Sequence, residues 1–279
     1  MYALMLMALS ATAPLKVGTT LHPYFSWASM VATSLPIEVR AVLPPEVDVG
    51  SYQPRPQDVA KLKDLDALII NGIGHDDFIL EMLKASGNVK CVVIRPNEVT
   101  PLLKNRRGDA ANSHTFLSFS NAIQQTYVIA RALGTLRPEL SLKLQENAMT
   151  YTKRLRTLRS AAMQRLLRSK EARVITVHDG YAYLLQELGI ELVAVIEPAH
   201  GLLPSAGELS ALVKQLQRER VTVVLAEEAF PPGLAEVLAQ AGAKVTQVTH
   251  ISSGPFTAER FEREMQSNVD ALASALGAP

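Results

Sequence analysis

The sequence predicts an α/β protein of two lobes, each a four-stranded parallel sheet flanked by helices, joined by one long backbone helix with a ligand cleft between the lobes. Three observations lead there. Short β-branched runs alternate with amphipathic stretches from Lys16 to about residue 94, and a second series of the same kind starts at about residue 172. Strands separated by helices imply crossover connections and a parallel sheet, so each series reads as one lobe. Between the series, residues 120–170 show no strand pattern, and five of the six histidines stand at or a few residues past the end of an apolar run.

In the first series, strands are expected near 16–21, 37–43, 66–71 and 89–94, with helices such as 24–34 and 76–85 between them. Tyr24, Phe25 and Trp27 fall on the first helix and read as its packed face, with Tyr24 or Trp27 a lesser candidate for a cleft wall. Pro54 and Pro56 stiffen the loop after Tyr52. The middle segment breaks at Arg137-Pro138, where proline suits the first turn of a new helix, and then runs to about Arg168. At 1.5 Å per residue that is a rod of about 45 Å, stiff enough to limit hinge motion. The second series places strands at 172–177, 190–196, 221–226 and 244–249, and helices at 180–188, 206–219, 233–241 and 256–276. The resulting division is 1–13 a signal-peptide remnant, 14–118 the N-terminal lobe, 119–170 the linking helices and 171–279 the C-terminal lobe.

Composition excludes several functions. The net charge is +1, with 28 basic and 27 acidic residues and no long block of either sign, so no nucleic-acid footprint is visible. A single cysteine, Cys91 in "VKCVVI", rules out an intrachain disulfide and a cysteine-based zinc site. The opening "MYALMLMALSATA" is apolar and ends in the A-x-A pattern Ala11-Thr12-Ala13, as the tail of a secretory signal would, which argues for export. No other stretch approaches the ~18 apolar residues of a transmembrane helix.

The histidines carry the chemistry. In an open parallel sheet, ligands bind outside the carboxyl ends of the strands. His22, His75, His178, His200 and His250 therefore fall on the cleft side of their lobes. One such histidine is an ordinary loop residue; several together suggest a metal site, because neutral imidazole is the commonest protein ligand for transition metals. A catalytic reading finds little support: the candidate paired carboxylate is Asp179 beside His178, and G-x-S-x-G, H-E-x-x-H and P-loop motifs are missing. Asp179 in "VHDGY" itself reads as an N-cap or first-turn residue of the following helix. Glu227 and Glu228, closing the run "VTVVLAEE", are placed to orient a ligand histidine by accepting its free N–H.

The stretches "DVGSYQPRPQDVAKLKDLDALIINGIG", "NSHTFLSFSNAIQQTYVIARAL", "VITVHDGYAYLLQELGIE", "EPAHGLLPSAGELSALV" and "VTHISSGPFTAERFEREMQSNVDALASAL" together resemble the metal-binding substrate-binding proteins of ABC transporters, the zinc/manganese/iron type, over nearly the whole chain after residue 15. The resemblance implies two α/β lobes on one long helix with metal bound in the cleft. Carried over, it puts ligands at His114 in "NSHTF", at His178 in "VHDGY" and at His250 in "VTHISS", the last where the family usually has aspartate. Tyr52, in the family motif, is expected near the cleft. The first ligand does not carry over: against the family's D-P-H-x-Y-x-P the chain has "DVGSYQP", with Gly50 in place of the histidine. Three readings stay open. His22 or His75 supplies the missing imidazole; the position is filled by water or by a chelator that travels with the metal; or metal binding is lost. His200 is a candidate for a supporting role.

A histidine-rich site favours zinc, copper, nickel or cobalt over manganese, with iron conceivable if Asp179 or a chelator adds oxygens. The expected function is a periplasmic receptor, monomeric and not an enzyme, that captures a divalent transition metal and delivers it to an ABC permease in the inner membrane. The alternatives are a receptor for a chelated metal or siderophore-associated iron and, from another class, a metal-dependent hydrolase.

Overall fold

The computed structural model describes residues 13–278 apart from 48, 107, 198–201, 228 and 229, so the signal-peptide reading of the opening residues and the candidates His200 and Glu228 lie outside the described residues. The first series folds as β1 (Leu15–Thr19), α1 (His22–Val31), β2 (Ile37–Ala41), α2 (Pro56–Ala60), β3 (Ala67–Ile69), α3 (Phe78–Ala85) and β4 (Val92–Ile94). All pairs are parallel, in the order β2-β1-β3-β4. The second series gives β5 (Arg173–Thr176), α6 (Ala182–Leu188), β6 (Glu191–Val195), α7 (Ala206–Glu219), β7 (Val223–Ala226), α8 (Pro232–Gln240), β8 (Lys244–Gln247) and α9 (Arg260–Ala275). Its order, β6-β5-β7-β8, repeats that of the first sheet and is again parallel throughout. The carboxyl ends of all four strands therefore lie along one edge in each sheet.

Two expectations about local structure are corrected. Between the lobes stand α4 (Phe119–Leu136) and α5 (Ser141–Arg165), with Pro138–Leu140 a 3₁₀ turn between them and Leu167–Ser169 another at the far end. The long helix is thus 25 residues, about 38 Å, shorter than the rod expected from Pro138 to Arg168, because the last turn tightens around Leu166. The loop holding Pro54 and Pro56 contains the short helix α2, with Pro56 at its start, where a missing N–H costs nothing.

The long helix touches both lobes. Asn147 on α5 donates to the carbonyls of Val31 (3.0 Å) and Thr33 (2.9 Å) past the end of α1, and Arg154 pairs with Glu262 of α9 at 2.7 Å. One continuous core runs from Val17, Leu68 and Ile69 of the first sheet through Ile129, Leu133, Leu144 and Leu155 of the two long helices to Val174, Val223, Phe261 and Met265. The opposite face of the second sheet, Ile175 and Val224, packs separately under Leu212, Leu216 and Leu238 of α7 and α8. This is the period-two alternation of a sheet covered on both faces. Tyr24 and Trp27 belong to the core; both are fully buried, Trp27 edge-on to Phe261 with ring centroids 5.1 Å apart.

Candidate metal centre

Four histidines from four separate segments meet between the lobes. His75 follows β3, His114 precedes α4, His178 follows β5 and His250 follows β8. Ring centroids lie 5.0 Å apart for His75 and His114, 4.6 Å for His114 and His178, 5.5 Å for His178 and His250, and 6.1 Å for His114 and His250. His114 Nε2 and His178 Nε2 are 2.9 Å apart, a hydrogen bond across the interface of the lobes. The first three residues are 7–8 % exposed, so the cluster is nearly sealed.

Each ring turns its Nδ1 toward a protein oxygen. His75 Nδ1 lies 3.2 Å from Ser113 Oγ and His114 Nδ1 lies 3.1 Å from Asn112 Oδ1. His250 Nδ1 lies 3.3 Å from Glu227 Oε1, and His178 Nδ1 lies 3.6 Å from Glu197 Oε2. The Asn112 amide is oriented by its neighbours: its Nδ2 donates to the Asp179 carbonyl (2.6 Å) and its Oδ1 accepts from the His114 N–H (2.9 Å). Its Oδ1 must then accept from His114 Nδ1–H as well, which makes His114 Nε2 the acceptor and His178 Nε2–H the donor of the inter-lobe bond. These tautomers are assigned from the hydrogen-bond network.

The supporting backbone is specific. Asp76, fully buried, accepts from the N–H groups of Asn71 (2.7 Å) and Gly72 (2.9 Å) and from the Thr20 hydroxyl, which fixes the loop presenting His75. Burial raises its pKa against the pull of those donors. Gly72 there has φ +71°, a conformation that glycine adopts without strain. Gly180 lets the imidazoles approach: a Cβ on it would stand 3.0 Å from His178 Cδ2 and 3.3 Å from His114 Cδ2. On the other side, Asn268 of α9 grips Thr249 by both its N–H (2.8 Å) and its carbonyl (2.7 Å), setting the residue before His250. Burial works to raise the Glu227 carboxyl, but hydrogen bonds from His250 and from the Tyr181 hydroxyl (2.8 Å) outweigh it and hold its pKa below the usual range.

Other candidates are placed elsewhere. His22 stands at the start of α1, its Nε2 donating to the Gly254 carbonyl at 2.7 Å and its ring stacked on Phe256 at 3.8 Å. It fastens the segment after His250 to the N-terminal lobe, as does Ser26 donating to the Thr257 carbonyl (2.8 Å). Its placement outside the cluster has a physical reason: the β1–α1 turn points it at the 254–256 backbone, whereas the longer connection after β3 carries His75 to His114. Asp179 takes the first-turn place of the two expected for it, in the 3₁₀ turn Asp179–Tyr181 before α6, with His178 at the N-cap; its carboxylate accepts from the Arg106 N–H at 2.7 Å across the lobes, and burial raises its pKa. Tyr52 packs against Phe78, with its hydroxyl donating to Asp58. Gly50 lies in a 3₁₀ turn, Val49–Ser51. Sequence reasoning missed Glu197, Asn112, Ser113 and Gly180. Glu197, just beyond the end of β6, carried the same strand-end signal as Glu227.

The model of the periplasmic zinc-uptake complex component A family, ZnuA, matches residues 17–275. The chain belongs to that family. Among solved structures, the ZnuA-family chain is similar to the substrate-binding protein FpvC of Pseudomonas aeruginosa in complex with Ni²⁺, at 38 % identity over 95 % of this chain and 97 % of that one, TM-score 0.87. FpvC is also known in complex with Mn²⁺, again at 38 % identity. Among curated relatives are the zinc-binding lipoprotein AdcA of Streptococcus pneumoniae, 24 % identical over 94 % of this chain, and the high-affinity zinc uptake system protein ZnuA of Bacillus subtilis, 22 % identical over 94 % of this chain and 88 % of its own length. The chain spans 56 % of the length of AdcA. Among the described residues no helix is long and apolar enough to cross a membrane.

Proposed function

We propose that this ZnuA-family protein is a periplasmic receptor that binds a divalent transition metal, zinc foremost, through His75, His114, His178 and His250 and hands it to an ABC permease. The convergence of four imidazoles from both lobes is the observation that carries the reading. Nδ1 of each ring faces a protein oxygen, so Nε2 is the common ligand atom, the arrangement in which a histidine is best oriented toward a metal. His75 then stands in for the imidazole missing at Gly50. A lobe division of 14–118, 119–170 and 171–279, and a monomeric state, go with this reading.

Binding requires a small rearrangement. Among the described residues no group of three or more His, Cys, Asp or Glu side chains could hold an ion as it stands. Two nitrogens on a tetrahedral zinc at ~2.0–2.1 Å are about 3.3 Å apart, against 2.9 Å between the His114 and His178 Nε2 atoms. Coordination therefore replaces that hydrogen bond, opens the pair by about 0.4 Å and shifts the His178 proton to Nδ1, facing Glu197. Four nitrogen donors rank zinc, nickel and copper above manganese. They also complete a tetrahedron, which leaves a chelator or a reactive water no position, so the chelate-receptor and hydrolase readings are weaker.

The test is calorimetric titration of Zn²⁺ into the metal-stripped protein and its single variants. One-to-one binding should weaken by at least about 100-fold in His75→Ala, His114→Ala, His178→Ala and His250→Ala, while His22→Ala stays near wild type. Unchanged binding by His75→Ala would remove it from the site, and equal losses in His22→Ala would undo the assignment of His22 as a fastener.

A further inference from the structure

One tyrosine of the C-terminal lobe is inserted into the backbone of the N-terminal lobe. Residues 103–105 and 110–112 run antiparallel: Lys104 pairs with Ala111, the Asn105 N–H donates to the Ala110 carbonyl (2.9 Å) and the Asn112 N–H to the Leu103 carbonyl (2.8 Å). A hydrogen-bonded antiparallel pair exchanges two such bonds. At Leu103 and Asn112 the second runs through the Tyr183 hydroxyl, which accepts from the Leu103 N–H at 2.9 Å and donates to the Asn112 carbonyl at 2.8 Å. Tyr183 lies on α6 and is 6 % exposed, and the Asp179 carbonyl just ahead of that helix accepts from Asn112 Nδ2 at 2.6 Å. The fully buried Asn112 is thus held twice from the C-terminal lobe, by the segment that also carries His178. Its Oδ1 faces His114 Nδ1 at 3.1 Å.

Resting on the four-histidine reading above, we propose that Tyr183 is a positioning residue for metal binding: by holding Asn112 it makes the C-terminal lobe aim His114, a ligand of the opposite lobe. With the cleft closed, the hydroxyl fixes the Asn112 backbone, the Asn112 side chain fixes the imidazole, and Nε2 faces the ion. When the lobes part, His178 and both holds on Asn112 leave together, so the ion loses one ligand outright and the orientation of a second. Withdrawal strands no polar group on the N-terminal side, because the Leu103 N–H and the Asn112 carbonyl then complete their own pair. The segment therefore has two satisfied arrangements, one with the lobes closed and one with them apart, and metal affinity follows the one that is populated. A single neutral hydroxyl acts in this way without touching the metal.

The experiment asks whether Tyr183 acts on the ion, and by this route. Tyr183→Phe removes only the hydroxyl. Zn²⁺ affinity by chelator competition, and the rate of Zn²⁺ release to a chelator, are measured for wild type, Tyr183→Phe, Asn112→Ala and the double variant. Tyr183→Phe should bind about 10-fold more weakly and Asn112→Ala about 10–100-fold, each with release faster by a similar factor. The losses should not add: the double variant should stay within about threefold of Asn112→Ala. Long-range ¹H–¹⁵N spectra of the metal-free proteins should show His114 protonated at Nδ1 in wild type and as a mixture of tautomers in Tyr183→Phe. Thermal melts of the metal-free variants check that they fold. One measurement needs no variant: in wild type, Zn²⁺ should slow exchange of the Leu103 amide by about 10-fold or more, because binding and the tyrosine contact are coupled reciprocally. Wild-type affinity in Tyr183→Phe, losses that add, an unchanged His114 tautomer or Leu103 exchange indifferent to Zn²⁺ would each overturn the proposal. Failure of the underlying reading is distinct and would show as Zn²⁺ binding to His114→Ala as tightly as to wild type.

Discussion

His22 makes the protein sensitive to acid through a group outside the metal cluster. It is 1 % exposed, and burial, with the nearby Arg260 adding to it, pushes its pKa down from 6.5 to about 4 against the raising effect of its bond to the Gly254 carbonyl. In the unfolded chain the imidazole takes a proton near 6.5; in the folded protein it resists until about 4. Between those values the unfolded state binds more protons, so stability is full above pH 6.5 and is lost as pH falls toward 4. At about 1.36 kcal/mol per pH unit, the 2.5-unit difference is worth about 3 kcal/mol. His22→Gln keeps a donor for the Gly254 carbonyl and removes both the titration and the stacking on Phe256. Urea unfolding of the metal-free proteins at steps from about pH 7.5 to 4 should find the variant about 1 kcal/mol less stable at the top and more stable at the bottom. The difference should swing by about 3 kcal/mol; every other group is common to both proteins and cancels. A difference constant with pH would refute the argument.

Three further outcomes follow from the contacts above. Asp76→Ala strands two backbone N–H groups and the Thr20 hydroxyl, so it should cost about 2–3 kcal/mol in denaturant unfolding and weaken Zn²⁺ binding through the His75 loop, with the wild-type values as controls. Glu187 of α6 accepts from the Ser118 hydroxyl (2.9 Å) and the N–H groups of Phe119 (2.8 Å) and Ser120 (3.0 Å) at the start of α4, and pairs with Arg159 of α5 at 2.6 Å. Glu187→Ala should therefore destabilise by about 3 kcal/mol or more and raise hydrogen exchange in the first turn of α4. Imidazole must be neutral to coordinate, so Zn²⁺ affinity should fall from about pH 7.5 to 5, with protons released on binding at the lower end; calorimetry in buffers of different ionisation heat reads both.

What was legible in the sequence was whatever leaves a period or a position. Alternating β-branched runs and helical stretches marked all eight strands and the break at Arg137-Pro138, because burial on both faces of a parallel sheet enforces them. Strand ends marked the histidines for the same topological reason. That rule, however, gave His22 and His75 equal standing, and two loop paths separate them: His22 opens α1 directly after β1, while His75 lies six residues past the end of β3, on a loop held by Asp76. Neither path has a repeating signature. Partners of the rings divide in the same way. Glu227 was visible as a strand end, and Glu197 carried the signal unread. Asn112 and Ser113 owe their roles to a short irregular segment before α4, where a side chain's direction depends on neighbours such as Tyr183, whose hydroxyl holds the Asn112 carbonyl at 2.8 Å from the opposite lobe. Contacts of that kind arise only once both lobes are folded against the long helices, so the aim of the His114 ring is a property of the assembled interface and of no single motif.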